Sequence, residues 1–161
     1  MKKNYLLFFV VCILGGTGCF SNITEIERNE EKRYIAEEAF KESNFMTIYT
    51  QKSFFALLPA AERKKYVSMY QEGLIEFFVK KMSLRELESF RDFQKEPVVK
   101  TIRQHYLTST QPSKKTFNNF GQIIDNYPII KKIASEEFQK EMGIFLEKKL
   151  QISSQNNIQN H

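Results

Sequence analysis

From Ala60 to Met82 the apolar residues Tyr66, Met69, Tyr70, Leu74, Phe77, Phe78 and Met82 fall three or four positions apart. That spacing gathers them on one stripe of an α-helix and scatters them over both faces of a strand. Directly after them comes Ser83-Leu84-Arg85-Glu86, the spacing of a capping box. Its hydroxyl can accept from the backbone N–H three residues on, while the carboxylate reaches back. A strand has no use for either pattern. The region must therefore be two helices end to end, the second lined by Leu84, Leu87, Phe90 and Phe93. Pro97 closes the second, because the residue before a proline is disfavoured in the helical region. Pro97 also suits the first position of a following helix that carries Val98, Val99, Ile102, Tyr106 and Leu107.

The same punctuation reads outward in both directions. Thr24-Glu25-Ile26-Glu27 opens an acidic helix to about Ser43, and a further helix covers Asn44 to Leu57, ended by Pro59. Thr108 to Ser113 is a loop, Lys114 to Asn126 a helix, and Pro128 separates it from a final helix ending near Leu150. With 6 Gly and 4 Pro against 15 Phe and 7 Tyr, breakers are scarce and core-forming residues plentiful. The expectation is an all-α fold, a compact bundle of about six or seven helices. Residues 24–152 form its single domain and 153–161, almost wholly Ser, Asn and Gln, a disordered polar tail.

The start of the chain has another logic. Lys2 and Lys3 precede an apolar run from Tyr5 to Leu14, then Gly15-Gly16-Thr17-Gly18-Cys19. A basic start, a short apolar core and small residues at the exit make an export signal. The run is about half the ~20 residues needed to cross a bilayer as a helix. Gly16, Thr17, Gly18 and Cys19 resemble the lipobox of bacterial lipoproteins, with glycine where that motif usually has leucine. The resemblance implies that residues 1–18 are removed, that Cys19 is lipidated, and that 19–23 serve as attachment point and short tether. Cleavage by an ordinary signal peptidase after Gly18 is the alternative. Cys12 would leave with the signal, so Cys19 would have no internal disulfide partner. Residues 20–23 span at most ~14 Å. Phe20 after the cysteine fits sorting to an outer membrane or cell surface; an unlipidated product would be periplasmic. About 140 residues would remain, enough for one domain with a core.

Residues 74–106 are also similar to a family of small exported bacterial proteins that form a domain of unknown function. The matching positions are Phe77, Phe78 and Met82; Ser83, Glu86 and Leu87; then Phe90, Phe93 and Pro97. Glu96 and Val99 stand where that family often has Ser and Gly. The resemblance implies a helical fold and an exported address, and carries no catalytic residue.

Chemistry is hard to place on this chain. His105 has Thr101, Ile102, Thr108 and Ser109 at helical spacing, none a good metal ligand. There is no nucleophile elbow, no phosphate loop, and no paired carboxylates beyond such solvent-facing helix pairs as Glu136 and Glu137. The expectation is a protein that is not an enzyme and needs no cofactor or metal. Between Glu25 and Glu42 acid predominates, whereas between Phe93 and Ser135 base does. The basic stretch can meet anionic headgroups, and Lys100, Arg103, Lys114 and Lys115 are the candidate contacts for an anionic ligand. The membrane, through a lipid anchor, and envelope proteins or headgroups are the expected partners; an exported chain does not meet nucleic acid. The function expected is an interaction or structural module of the envelope. The alternative is a carrier of a hydrophobic or anionic ligand, with the many Phe lining a cavity.

Overall fold

In a computed structural model the backbone is described for residues 17–158 and side chains for 25–151. The expected signal, residues 1–18, therefore lies outside the described residues apart from the backbone of 17 and 18, as does the Cys19 side chain. Eight α-helices and one 3-10 turn, with no strand, account for the described chain. They are α1 (Thr17–Glu42), α2 (Phe45–Lys52), the 3-10 turn Phe54–Leu57, α3 (Ala60–Lys81), α4 (Leu84–Lys95), α5 (Pro97–Thr108), α6 (Lys114–Asn126), α7 (Pro128–Ala134) and α8 (Glu136–Ile158). The all-α expectation holds.

The core is built on α3. Phe77 and Phe78 are neighbours in sequence and so point about 100° apart on the helix, toward sets of partners that share only Phe138. Phe77 meets Phe138 and Phe145 of α8, with ring centroids 5.2 and 5.5 Å away. Phe78 stacks on Phe40 of α1 at 5.3 Å and meets Phe90 of α4 edge-on at 5.4 Å. Both are fully buried. α1 packs chiefly against α4 and then α3, and brings Ala36 and Ala39 to that contact with no exposed surface. Side chains this small let helix backbones approach closely. Gly73 serves the same end on the other side of α3, since a Cβ there would lie 2.8 Å from Leu146 Cδ2 of α8. The helix runs through Gly73 unbroken.

The capping box at Ser83 forms as read. Ser83 Oγ accepts from Glu86 N at 3.3 Å and Glu86 Oε2 accepts from Ser83 N at 2.8 Å. Lys132 of α7 then reaches the free oxygen of the same carboxylate at 2.6 Å, so one acid caps α4 and ties α7 to it. A smaller aromatic group holds the second half: Phe93 lies 6.2 Å from Phe120 and 5.4 Å from Tyr127. Tyr127 donates to Glu96 at 2.6 Å. That bond, with burial second, pushes the phenol up to about 12.

Four boundaries differ from the sequence reading, each for a local reason. α1 is already helical at Thr17, so Thr24 is not a cap and residues 20–23 are helical rather than an extended tether. The helix expected over 44–57 ends at Lys52, because extended Ser53 accepts from Phe55 N and starts the 3-10 turn. Ser135, also extended, splits the expected final helix and accepts from Phe138 N at 3.4 Å. Past Leu150 the helix continues through 153–158 to Ile158, although those residues read as tail. Ser, Asn and Gln are indifferent rather than breaking residues, and adding a residue to a formed helix costs far less than nucleating one.

Candidate functional site

The turn-forming residues at one end of the bundle expose what the core rejects. Asn44 takes a left-handed conformation with φ 54°, which stops α1 and sends α2 back with Phe45 and Tyr49 facing Tyr70. Burial, with the neighbouring Tyr70 second, pushes Tyr49 up to about 12. Then comes the 3-10 turn. With three residues per turn, i and i+3 are superposed, so Phe54 and Leu57 share one face and Phe55 and Leu58 the other. The inward pair joins the core, with Phe55 only 3% exposed. The outward pair is left in solvent, Phe54 67% and Leu57 88% exposed.

A second segment lies alongside. Ser109 ends α5 in the left-handed region at φ 55°, and Thr110 N returns to His105 O at 3.0 Å. His105 Nδ1 and Thr110 Oγ1 are 2.7 Å apart, which fixes the imidazole against the loop. Lys52 Nζ donates to Ser109 Oγ at 2.7 Å, joining the two segments. Between them lies an open groove of about 470 Å³ lined by Lys52, Ile102, His105, Tyr106, Thr110 and Phe117. Tyr106 and Phe117 are each about half exposed.

Electrostatics single out this end. Residues 43–71 and 97–124 contain Lys52, Arg63, Lys64, Lys65, Lys100, Arg103, Lys114 and Lys115, against Glu62 as the only acid. The whole chain is only +5, so the rest is slightly acidic. Among the described residues Lys64, Lys65, Lys114 and Lys115 have no ion pair, as is also true of Arg28, Lys41, Lys80, Arg85, Lys140 and Lys148, so what sets this end apart is the near-absence of acid along its two segments. Lys114 and Lys115 also open α6, where the positive end of the helix dipole disfavours cations. A larger open groove of about 630 Å³, between α1 and α3, is lined by Glu25, Glu30, Glu76, Lys32, Arg33 and Lys80 among others. Its charges are of both signs, and Arg33 and Glu76 are paired with residues outside the lining, Arg33 with Glu37 and Glu72 and Glu76 with Lys149.

Of the four cations read from sequence, two are committed within the fold. Arg103 is turned inward, donating to the carbonyls of Glu42 and Gln94 that end α1 and α4. Burial pushes its guanidinium below the ordinary arginine value, partly opposed by Glu42. Lys100 lies 3.4 Å from the Glu42 carboxylate. Lys114 and Lys115 are exposed, and Phe117, three residues after Lys114, borders the groove. The sequence reading gave no site role to Lys52, Phe54, Leu57, Lys64 or Lys65. Their signal was there, in Phe54-Phe55-Ala56-Leu57-Leu58 standing between Lys52 and Arg63-Lys64-Lys65, but a regular helix over 44–57 would hide it.

The Phe residues expected either to fill a core or to line a cavity pack ring against ring through Phe40, Phe77, Phe78, Phe90 and Phe138. Among the described residues no cluster of three or more His, Cys, Asp or Glu could hold a metal ion, and no helix is long and apolar enough to cross a membrane. No family model, no curated protein and no solved structure matches this chain.

Proposed function

We propose that this chain is an exported protein of the bacterial envelope, lipid-anchored at Cys19, that acts as a non-enzymatic interaction module through its basic, aromatic end. The observation that carries the docking face is the exposure of Lys52, Lys64, Lys65, Lys114 and Lys115 on two adjoining segments whose only acid is Glu62, with Lys100 and Arg103 held within the fold. Such a surface concentrates anionic partners and accelerates encounter with them. The anchor rests on the signal pattern ending at Cys19. Residues 25–31 of α1 are all exposed and the first half-buried residue is Lys32. A helix rising 1.5 Å per residue therefore holds the bundle up to ~20 Å from Cys19. Glu42, which contacts Arg103 and Lys100, is at the far end of the same helix. A second reading, a binder of a small anionic envelope ligand, is favoured by the groove that Lys52 and His105 line.

The test is a mass spectrum of the N-terminus of protein purified from its own membrane, with crosslinked partners identified alongside. A chain beginning at acylated Cys19 is expected, and Cys19→Ala should yield a soluble product or an unprocessed precursor. An unmodified N-terminus, or correctly cleaved Cys19→Ala protein still on the membrane, would overturn the anchor.

A further inference from the structure

The Phe54–Leu57 turn combines three properties rarely found together by accident. Its outward residues are apolar and more exposed than any other large apolar side chain described. Exposed Lys52, Lys64 and Lys65 flank it, with Glu62 the one acid nearby. Its backbone is largely satisfied from within: Ala56 N donates to Ser53 O at 2.9 Å, Leu58 N to Phe55 O at 3.0 Å, and Phe55 N to Ser53 Oγ at 3.2 Å. Arg63 Nη2 closes the exit by donating to Leu58 O at 2.8 Å. A segment whose polar backbone groups are paired can enter a low-dielectric layer without stranding them.

We propose that this turn inserts into the surface of an anionic phospholipid bilayer, Phe54 and Leu57 entering the interface while Lys52, Lys64 and Lys65 stay among the phosphates. A hydrated acidic polymer or protein surface would satisfy the lysines and leave Phe54 and Leu57 wet. A bilayer interface satisfies both, through apolar burial and attraction to anionic lipid. The inference rests on reading the basic end as a docking face and does not depend on acylation of Cys19.

The chain has no Trp, so Phe54→Trp and Leu57→Trp each supply a single emitter at an exposed position. Ile144→Trp, on α8 and 47% exposed, is the control. The full chain is added to vesicles with no prior reconstitution, and a second vesicle population is mixed in so that a chain held at its N-terminus by one population can still meet the other. Phosphatidylcholine with or without phosphatidylglycerol is used, with brominated acyl chains placed in either population. Blue-shifted emission and quenching are expected at positions 54 and 57 with phosphatidylglycerol, from one population or the other, and not at 144. Neutralising Lys52, Lys64 or Lys65 to Gln should each lower partitioning about five-fold. Quenching equal with and without phosphatidylglycerol, or absent from both populations, overturns the proposal. Retention on immobilised polyphosphate separates the two levels. Retention without quenching refutes lipid insertion and keeps the docking face; loss of both refutes both.

Discussion

Replacing Arg103 separates a residue that binds a ligand from one that holds the fold. Its guanidinium lies between the C-terminal ends of α1 and α4 and donates to Glu42 O and Gln94 O. Those carbonyls belong to the helix ends that carry negative partial charge, so a cation there complements both dipoles. Each charge-assisted hydrogen bond contributes about 1.5–3 kcal/mol, which sets a gross value of ~3–6 kcal/mol for the pair. Two effects reduce it. Arg103 Nε is buried without a partner, a cost that vanishes with the side chain, and water can reach helix-end carbonyls once the arginine is gone. Arg103→Ala should therefore destabilise by about 2–3 kcal/mol, or roughly 5–10 °C in Tm for a domain of this size. Arg103→Lys keeps the charge but lacks the planar fork, and should lose about half as much. Urea unfolding followed by circular dichroism measures both. Protein that is still folded should keep its retention on an anionic matrix. Stability within ~0.5 kcal/mol of the parent, together with lost retention, would refute the structural role and return Arg103 to the ligand contacts.

Ser83→Ala removes the hydroxyl half of the capping box and should cost about 1 kcal/mol in the same titration; unchanged unfolding would mean the box contributes nothing. Lys115→Glu replaces a cation by an anion in the first turn of α6 and should stabilise by ~0.3–1 kcal/mol, while weakening binding to anionic vesicles. A less stable variant would show that Lys115 has a favourable partner. Burial alone would raise the Glu86 pKa, but hydrogen bonds from Lys132 and Ser83 outweigh it and hold the carboxyl below its ordinary value. The unfolded chain therefore takes up the proton first, so this stabilisation is present above the ordinary value of 4.5 and lost as pH falls toward the folded one. Glu86→Gln should be less stable than the parent at neutral pH and show a shallower fall in acid, read from urea midpoints; parallel pH profiles would contradict the Lys132–Glu86 link.

Helix identity in this chain is a local property, and it was legible wherever the signal was local. Pro97 and Pro128 begin helices, Ser83 caps one, and the apolar step through Leu74, Phe77, Phe78 and Met82 marks a buried stripe, although Tyr66 at its start is exposed and Val67 is buried beside it. The two expected helices that split, at Ser53 and Ser135, did so where a serine hydroxyl competes for backbone N–H groups. Serine is also tolerated inside helices, so the residue alone does not decide.

Tertiary structure decided which charges are free. Lys100, Arg103, Lys114 and Lys115 look alike in sequence. Only packing of α5 against the ends of α1 and α4 turns Arg103 inward and sets Lys100 beside Glu42, leaving Lys114 and Lys115 in solvent. Likewise the sequence supplies two apolar pairs around Phe54, but the choice of a 3-10 turn over an α-helix puts one pair in the core and the other in water. Periodicity and capping act between residues three or four apart and can be read along the chain. Charge pairing and exposure depend on partners up to 61 positions away, and those are chosen only when the helices pack.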